Sequence, residues 1–195
     1  MYITNIRTRE ATHPLTTDPP SARTLSAFAP DPASPVRHFG VRVARPGPLR
    51  LVLEYELTGD LAGLRLALGG NREQPTEGLW RHTCMELFVR QPTAGAYLEF
   101  NLAPSGQWAA YRFSGYRAGM APLTGIRPPR IELRTLSERL LLSADVELPP
   151  DQVGALRLGL SAVVESAQGQ LGYWALRHGA ERPDFHHPDG FDFEI

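Results

Sequence analysis

The feature that most constrains this chain is alternation with a period of two. In "LRLVLEYEL" (49–57), Leu49, Leu51, Leu53, Tyr55 and Leu57 share one side of an extended backbone, and Arg50, Glu54 and Glu56 take the other. "RLLLSADVEL" (139–148) sets Leu140, Leu142, Ala144, Val146 and Leu148 against Ser143, Asp145 and Glu147. "LRLGLSAVVES" and the closing "FDFEI" alternate likewise, and shorter candidates are "FGVRVAR", "RLALG", "TCMELFVR", "YLEFNL", "QWAAYRFS", "IELRTL" and "GYWAL". Helical spacing is scarce. Only "PPDQVGAL" (149–156) reads as a short helical turn, with prolines at its start. About ten strands, with turn signals roughly every 8–12 residues, predict an all-β fold, a sandwich or a barrel-like one.

The 195 residues fit a single domain of that kind, and 42% apolar content suffices for its core. The Pro- and Ser-rich segment 13–35 is expected to run as extended coil over the surface. A formal net charge of -1 gives no electrostatic reason to bind nucleic acid or an anionic membrane. All 20 basic residues are Arg, which removes P-loop and Schiff-base lysine chemistry. The lone Cys84 allows neither an intramolecular disulfide nor a cysteine zinc cage. No apolar stretch has the length of a signal peptide or a membrane span, and the Arg, Ala, Gly and Pro richness reads as a GC-rich coding sequence. The bacterial cytoplasm is the expected location.

Chemistry concentrates in residues 78–120. With Ser105-Gly106 as a two-residue turn, Leu102 faces Ala109, Phe100 faces Tyr111 and Leu98 faces Phe113, all toward the core. The other side then sets Asn101 across from Ala110, Glu99 across from Arg112 and Ala103 across from Trp108. A slip of one residue would put Arg112 on the core side beside Leu98, at a desolvation cost. The expected result is a partly exposed surface of Glu99, Asn101, Trp108 and Arg112, joined by Glu86, which is out of phase with Met85, Leu87 and Val89. An indole beside carboxylate, amide and guanidinium groups suits a saccharide: the ring stacks on the sugar and the polar groups take its hydroxyls. The plainer reading is a solvated Glu99–Arg112 pair worth at most about 1 kcal/mol, with Trp108 covering a sheet edge.

"GLW-(x)5-ELFV", "YLEFNLAPSGQWAAYRF" and "YWAL-(x)5-RPDFHHPDGF" together resemble bacterial DOMON-like ligand-binding domains, relatives of family 9 carbohydrate-binding modules and of DOMON haem or sugar domains. The resemblance runs from about Leu49 to the end. It implies an antiparallel β-sandwich of about ten strands, of jelly-roll or immunoglobulin-like type, with a ligand pocket at one end or on a concave face. The positions it carries over are Trp80, Glu86, Glu99, Asn101, Trp108 and Arg112, and Trp80, Tyr116 and Trp174 compete as the second aromatic of a sugar clamp.

The segment "RHGAERPDFHHPDGFDFEI" (177–195) gathers His178, Asp184, His186 and His187. Adjacent His186 and His187 point to opposite sides of extended backbone, so they do not readily share a metal, and their spacing matches no established zinc motif. His178 with one of that pair, such as His187, plus Asp184 is the metal alternative, a set of two His and one Asp. The favoured reading is a polar loop closing the sandwich, with His186 as a ligand contact. Haem would need Met with His, and Met85 reads as core. A glycosidase pair of Glu86 and Glu99 is disfavoured if Arg112 lowers the pKa of Glu99. The sequence therefore predicts a non-catalytic module for a saccharide or similar small polar ligand, without a cofactor. The alternatives are a docking or homodimer surface and a haem- or metal-binding domain.

Overall fold

A computed structural model describes residues 21–195, and they form the expected antiparallel β-sandwich. Its strands are β1 (Ser21–Thr24), β2 (Ser26–Ala27), β3 (Val36–Gly47), β4 (Arg50–Gly59), β5 (Cys84–Arg90), β6 (Tyr97–Leu102) and β7 (Trp108–Phe113). They continue with β8 (Ala121–Pro122), β9 (Arg130–Leu136), β10 (Arg139–Glu147), β11 (Arg157–Glu165), β12 (Leu171–Ala175) and β13 (Phe193–Glu194). One sheet has the order β1-β3-β4-β10-β9; the other runs β2-β12-β11-β5-β6-β7-β8, with β13 also paired to β11.

The alternating strands bury the faces their pattern marks. Leu51, Leu53, Tyr55 and Leu57 of β4 and Leu140, Leu142, Ala144 and Val146 of β10 meet Met85, Leu87, Val89, Leu98, Phe100 and Leu102 of the opposite sheet. Each such large apolar side chain stabilises the fold by about 1.5–3 kcal/mol, which makes the strand phase hard to change. Tyr55 crosses this core to donate its hydroxyl to the carbonyl oxygen of Glu86 at 2.8 Å.

Four local expectations are corrected. Residues 13–20 lie outside the described residues, but 21–27 form strands rather than coil. Between Pro20 and Pro30 the chain keeps its N–H groups, so β1 pairs with β3, β2 pairs with β12, and buried Leu25 passes between the sheets. "RLALG" is not a strand. Leu64 makes one bridge to Ser166, and β5 already occupies that edge of β11 from Arg157 to Val163. Residues 149–156 hold a single turn bond, from Gln152 N–H to the Pro149 carbonyl at 3.0 Å, not a helical turn. One-turn 3-10 helices stand instead at Leu61–Gly63, Leu79–Arg81 and Pro188–Gly190.

The fourth correction decides the site. The β6–β7 loop is Pro104-Ser105-Gly106, closed by Gly106 N–H to the Ala103 carbonyl and Ala103 N–H to the Gln107 carbonyl, both at 2.9 Å. Gly106 has φ +84°, so this is a three-residue loop ending in the left-handed region. The register becomes Leu102 opposite Trp108, Phe100 opposite Ala110 and Leu98 opposite Arg112. β6 keeps its expected face, and β7 turns over. Arg112 escapes the cost of the core because its guanidinium reaches Asp151, at 2.7 and 3.3 Å, from a half-exposed position.

Candidate functional site

Alternation leaves the larger sheet a second face, away from the sandwich core. Across it, Ala175, Ser161, Glu86, Asn101 and Ala109 stand abreast, one from each of β12, β11, β5, β6 and β7. The next row carries Phe88, Glu99 and Tyr111. Glu86 and Glu99 are therefore diagonal neighbours on adjacent strands.

Three segments cover this face. The Leu79–Arg81 turn brings Trp80 edge-on to Tyr111, with ring centroids 6.0 Å apart. The segment after β7 brings Arg117 and Met120, and the segment after β12 brings Phe185 and His186. Together they enclose a cavity of about 380 Å³. Its aromatic walls are Trp80, Tyr111, Phe113, Tyr173 and Phe185; its ionisable groups are Glu86, Glu99, Arg117 and His186.

Glu86 and Glu99 are 3% and 5% exposed. Asn101 donates from Nδ2 to Glu99 Oε1 at 2.7 Å and accepts a weak bond from the Cys84 thiol at 3.7 Å. Among the described residues no hydrogen bond reaches the Glu86 carboxyl, and the buried hydroxyls of Tyr111 and Ser161 also lack partners. Burial, and then the charge of Glu99, push the Glu86 carboxyl well above the usual carboxylate range. Burial also raises Glu99, opposed by the Asn101 hydrogen bond and the charge of Arg117. The pair holds a proton to higher pH than either acid would alone.

The remaining charges are spent. Arg117 donates from Nε and Nη2 to Asp184 Oδ1 at 3.1 and 2.7 Å, the Tyr116 hydroxyl donates to Asp184 Oδ2, and the His186 N–H donates to Oδ1 at 3.1 Å. Burial alone would raise the pKa of Asp184, but these donors hold it below the ordinary value. The clamp also fixes Arg117 at φ +52°, an uncommon conformation for a side chain with a Cβ. Tyr97 Oη accepts the Arg117 N–H at 3.2 Å and shares a hydrogen bond with His186 Nδ1 at 2.8 Å. His186 Nε2 lies 3.8 Å from Glu99 Oε2. Burial, followed by the charge of Arg117, lowers the His186 pKa to about 4, so the ring is neutral near pH 7.

Of the residues expected from sequence, Trp80, Glu86, Glu99 and His186 line the cavity, and Asn101 lies beside it holding Glu99. Tyr116 serves the Asp184 clamp. The expected platform is corrected. Trp108 is buried in the sandwich core with Nε1–H donated to the Arg72 carbonyl at 3.0 Å, and Arg112 pairs with Asp151 rather than Glu99. With Arg112 elsewhere, the reason for a low Glu99 pKa disappears, and the shift runs upward. Trp174 packs on the main core, 6.0 Å from the Phe39 ring.

The histidine loop acts as a cap. His187 Nδ1 accepts the Asp189 N–H at 3.3 Å, and His178 Nε2 meets the Ser26 carbonyl at 2.8 Å. His178, Asp184 and His187 do not converge, and no group of three His, Cys, Asp or Glu is placed to hold a metal ion among the described residues. As for a haem ligand pair, Met85 is in the core, and His186 turns one nitrogen to Tyr97 and the other toward Glu99. Sequence reasoning missed Tyr111, Phe113, Tyr173, Phe185 and Arg117. Reading "APSGQ" as a loop ending in left-handed Gly would have turned Tyr111 and Phe113 onto this face.

Neither a protein-family model nor a curated protein matches the chain. Among solved structures it is similar in fold to a "putative carbohydrate-binding protein" from Bacteroides uniformis. The TM-score is 0.63 at 16% identity, over 87% of this chain and 83% of that one. The two share an architecture. Among the described residues no helix is long and apolar enough to cross a membrane.

Proposed function

We propose that this protein is a non-catalytic binding module for a saccharide or similar small polar ligand, held in the cavity on the outer face of the larger sheet. One observation carries the reading: among the described residues the buried Glu86 carboxyl lines this cavity without a hydrogen-bond partner, among aromatic rings. Buried polar groups are ordinarily satisfied, so one left open in a cavity favours a partner from outside. Sugar rings suit such walls because their C–H faces pack on aromatics while their hydroxyls reach carboxyl oxygens. The fold shared with the Bacteroides uniformis protein and the resemblance to DOMON-like domains support the same class of ligand. Trp80 is the stacking residue in this reading.

A thermal-shift screen against mono- and disaccharides tests it. A sugar at about 100 times its Kd adds roughly 2.7 kcal/mol, which raises the midpoint by roughly 5–10 °C for a domain of this size. Trp80→Ala is expected to remove the shift while keeping the fold. A shift that survives Trp80→Ala places the sugar elsewhere, and no shift with any sugar overturns the saccharide reading.

A further inference from the structure

Glu86 and Glu99 line the cavity from adjacent strands, both buried. Among the described residues neither carboxyl is paired with an arginine: the lining Arg117 is held by Asp184, and the neutral His186 ring stands 3.8 Å from Glu99. Buried acids without a cation either keep protons or receive a positive charge from elsewhere. Trp80, Tyr111, Phe113, Tyr173 and Phe185 ring the same space, and aromatic faces attract a desolvated ammonium.

We infer that the ligand carries an ammonium group, which sits between the Glu86 and Glu99 carboxylates and the aromatic walls. This rests on the saccharide reading above, and within it the ligand is an amino sugar rather than a neutral one. The ammonium supplies the positive charge that the two acids lack. The sugar ring lies along Trp80. Acetylating the amine would remove the charge and add bulk, so an N-acetyl sugar is disfavoured on both counts.

Titration calorimetry on the full chain at neutral pH, with glucosamine, glucose, N-acetylglucosamine and choline, separates the possibilities. Glucosamine is expected to bind at least about tenfold more tightly than glucose or N-acetylglucosamine, a difference of roughly 1.4 kcal/mol. Glu86→Gln, nearly isosteric, is expected to remove that preference, with its fold checked by circular dichroism. Glucose binding as tightly as glucosamine overturns the ammonium inference and leaves the saccharide reading in place. Choline binding with none of the sugars overturns the saccharide reading and keeps the ammonium. Binding of none of the four overturns both.

Discussion

Two kinds of buried carboxylate share the outer face of the larger sheet. Asp184 and Glu165 each have a cation and further donors. Asp184 holds Arg117, Tyr116 and the His186 N–H, and Glu165 takes Arg65 at 2.6 Å and His82 at 2.7 Å. Glu86 and Glu99 are as well buried and have Asn101 and a neutral imidazole between them. The first kind ties loops to the sheet and is explained by the fold. The second has no such tie, and its place in the cavity fits the binding role proposed above. Removing an acid of each kind should therefore have opposite consequences for stability.

The largest expected effect is at the clamp. Asp184→Ala leaves Arg117 and Tyr116 without their acceptor and frees the segment carrying His186. Breaking a buried pair on one side costs about 3–5 kcal/mol; because Arg117 is half exposed, about 3 kcal/mol is the better expectation. The lowered pKa of Asp184 makes this stabilisation present above pH 3.8 and lost as pH falls through the folded-state value. Urea denaturation at pH 7 and at pH 3 checks both halves. Equal stability of variant and parent at pH 7 would reduce the clamp to a surface pair.

His186 comes next. Its pKa falls from an ordinary 6.5 to about 4, so the unfolded chain binds the proton more readily across that window. Stability is then lost as pH drops from about 6.5 to about 4, by on the order of 3 kcal/mol. His186→Gln should flatten this part of the pH profile while lowering stability modestly at pH 7. An acid limb unchanged in the variant would assign it to other groups.

Much of the fold was legible from period-two alternation, because β4, β5, β6, β10 and β11 each bury one side in a thick core. The site was legible in part. Glu86 and Glu99 fall on the outer face that their phase predicts, but covering segments bury them there instead of leaving a partly exposed surface. The hairpin failed on a single turn residue: Pro104 joined the loop and Gly106 took φ +84°, so β7 exchanged Trp108 for Tyr111 and Phe113. No periodicity marks the covering segments. Arg117, Phe185 and His186 reach the cavity through long-range contacts such as the Asp184 clamp, which join segments more than 60 residues apart.

The smallest expected change in stability is the most informative. Folding raises the pKa of Glu86, so the folded chain holds its proton more tightly than the unfolded one above the ordinary value of 4.5. The acid therefore costs nothing below that pH and destabilises the fold progressively as pH rises toward its folded-state value. Gln occupies the same space and stays neutral. Glu86→Gln should match the parent near pH 4 and exceed it at pH 8, by about 1 kcal/mol, or roughly 2–4 °C in Tm. The same variant should lose the ligand preference. A gain in stability paired with a loss of binding marks a residue kept for what it binds, since the fold alone would be better without its charge. A variant less stable than its parent at pH 8 would mean that Glu86 has a stabilising partner in the folded chain, and the contrast with Asp184 and Glu165 would collapse.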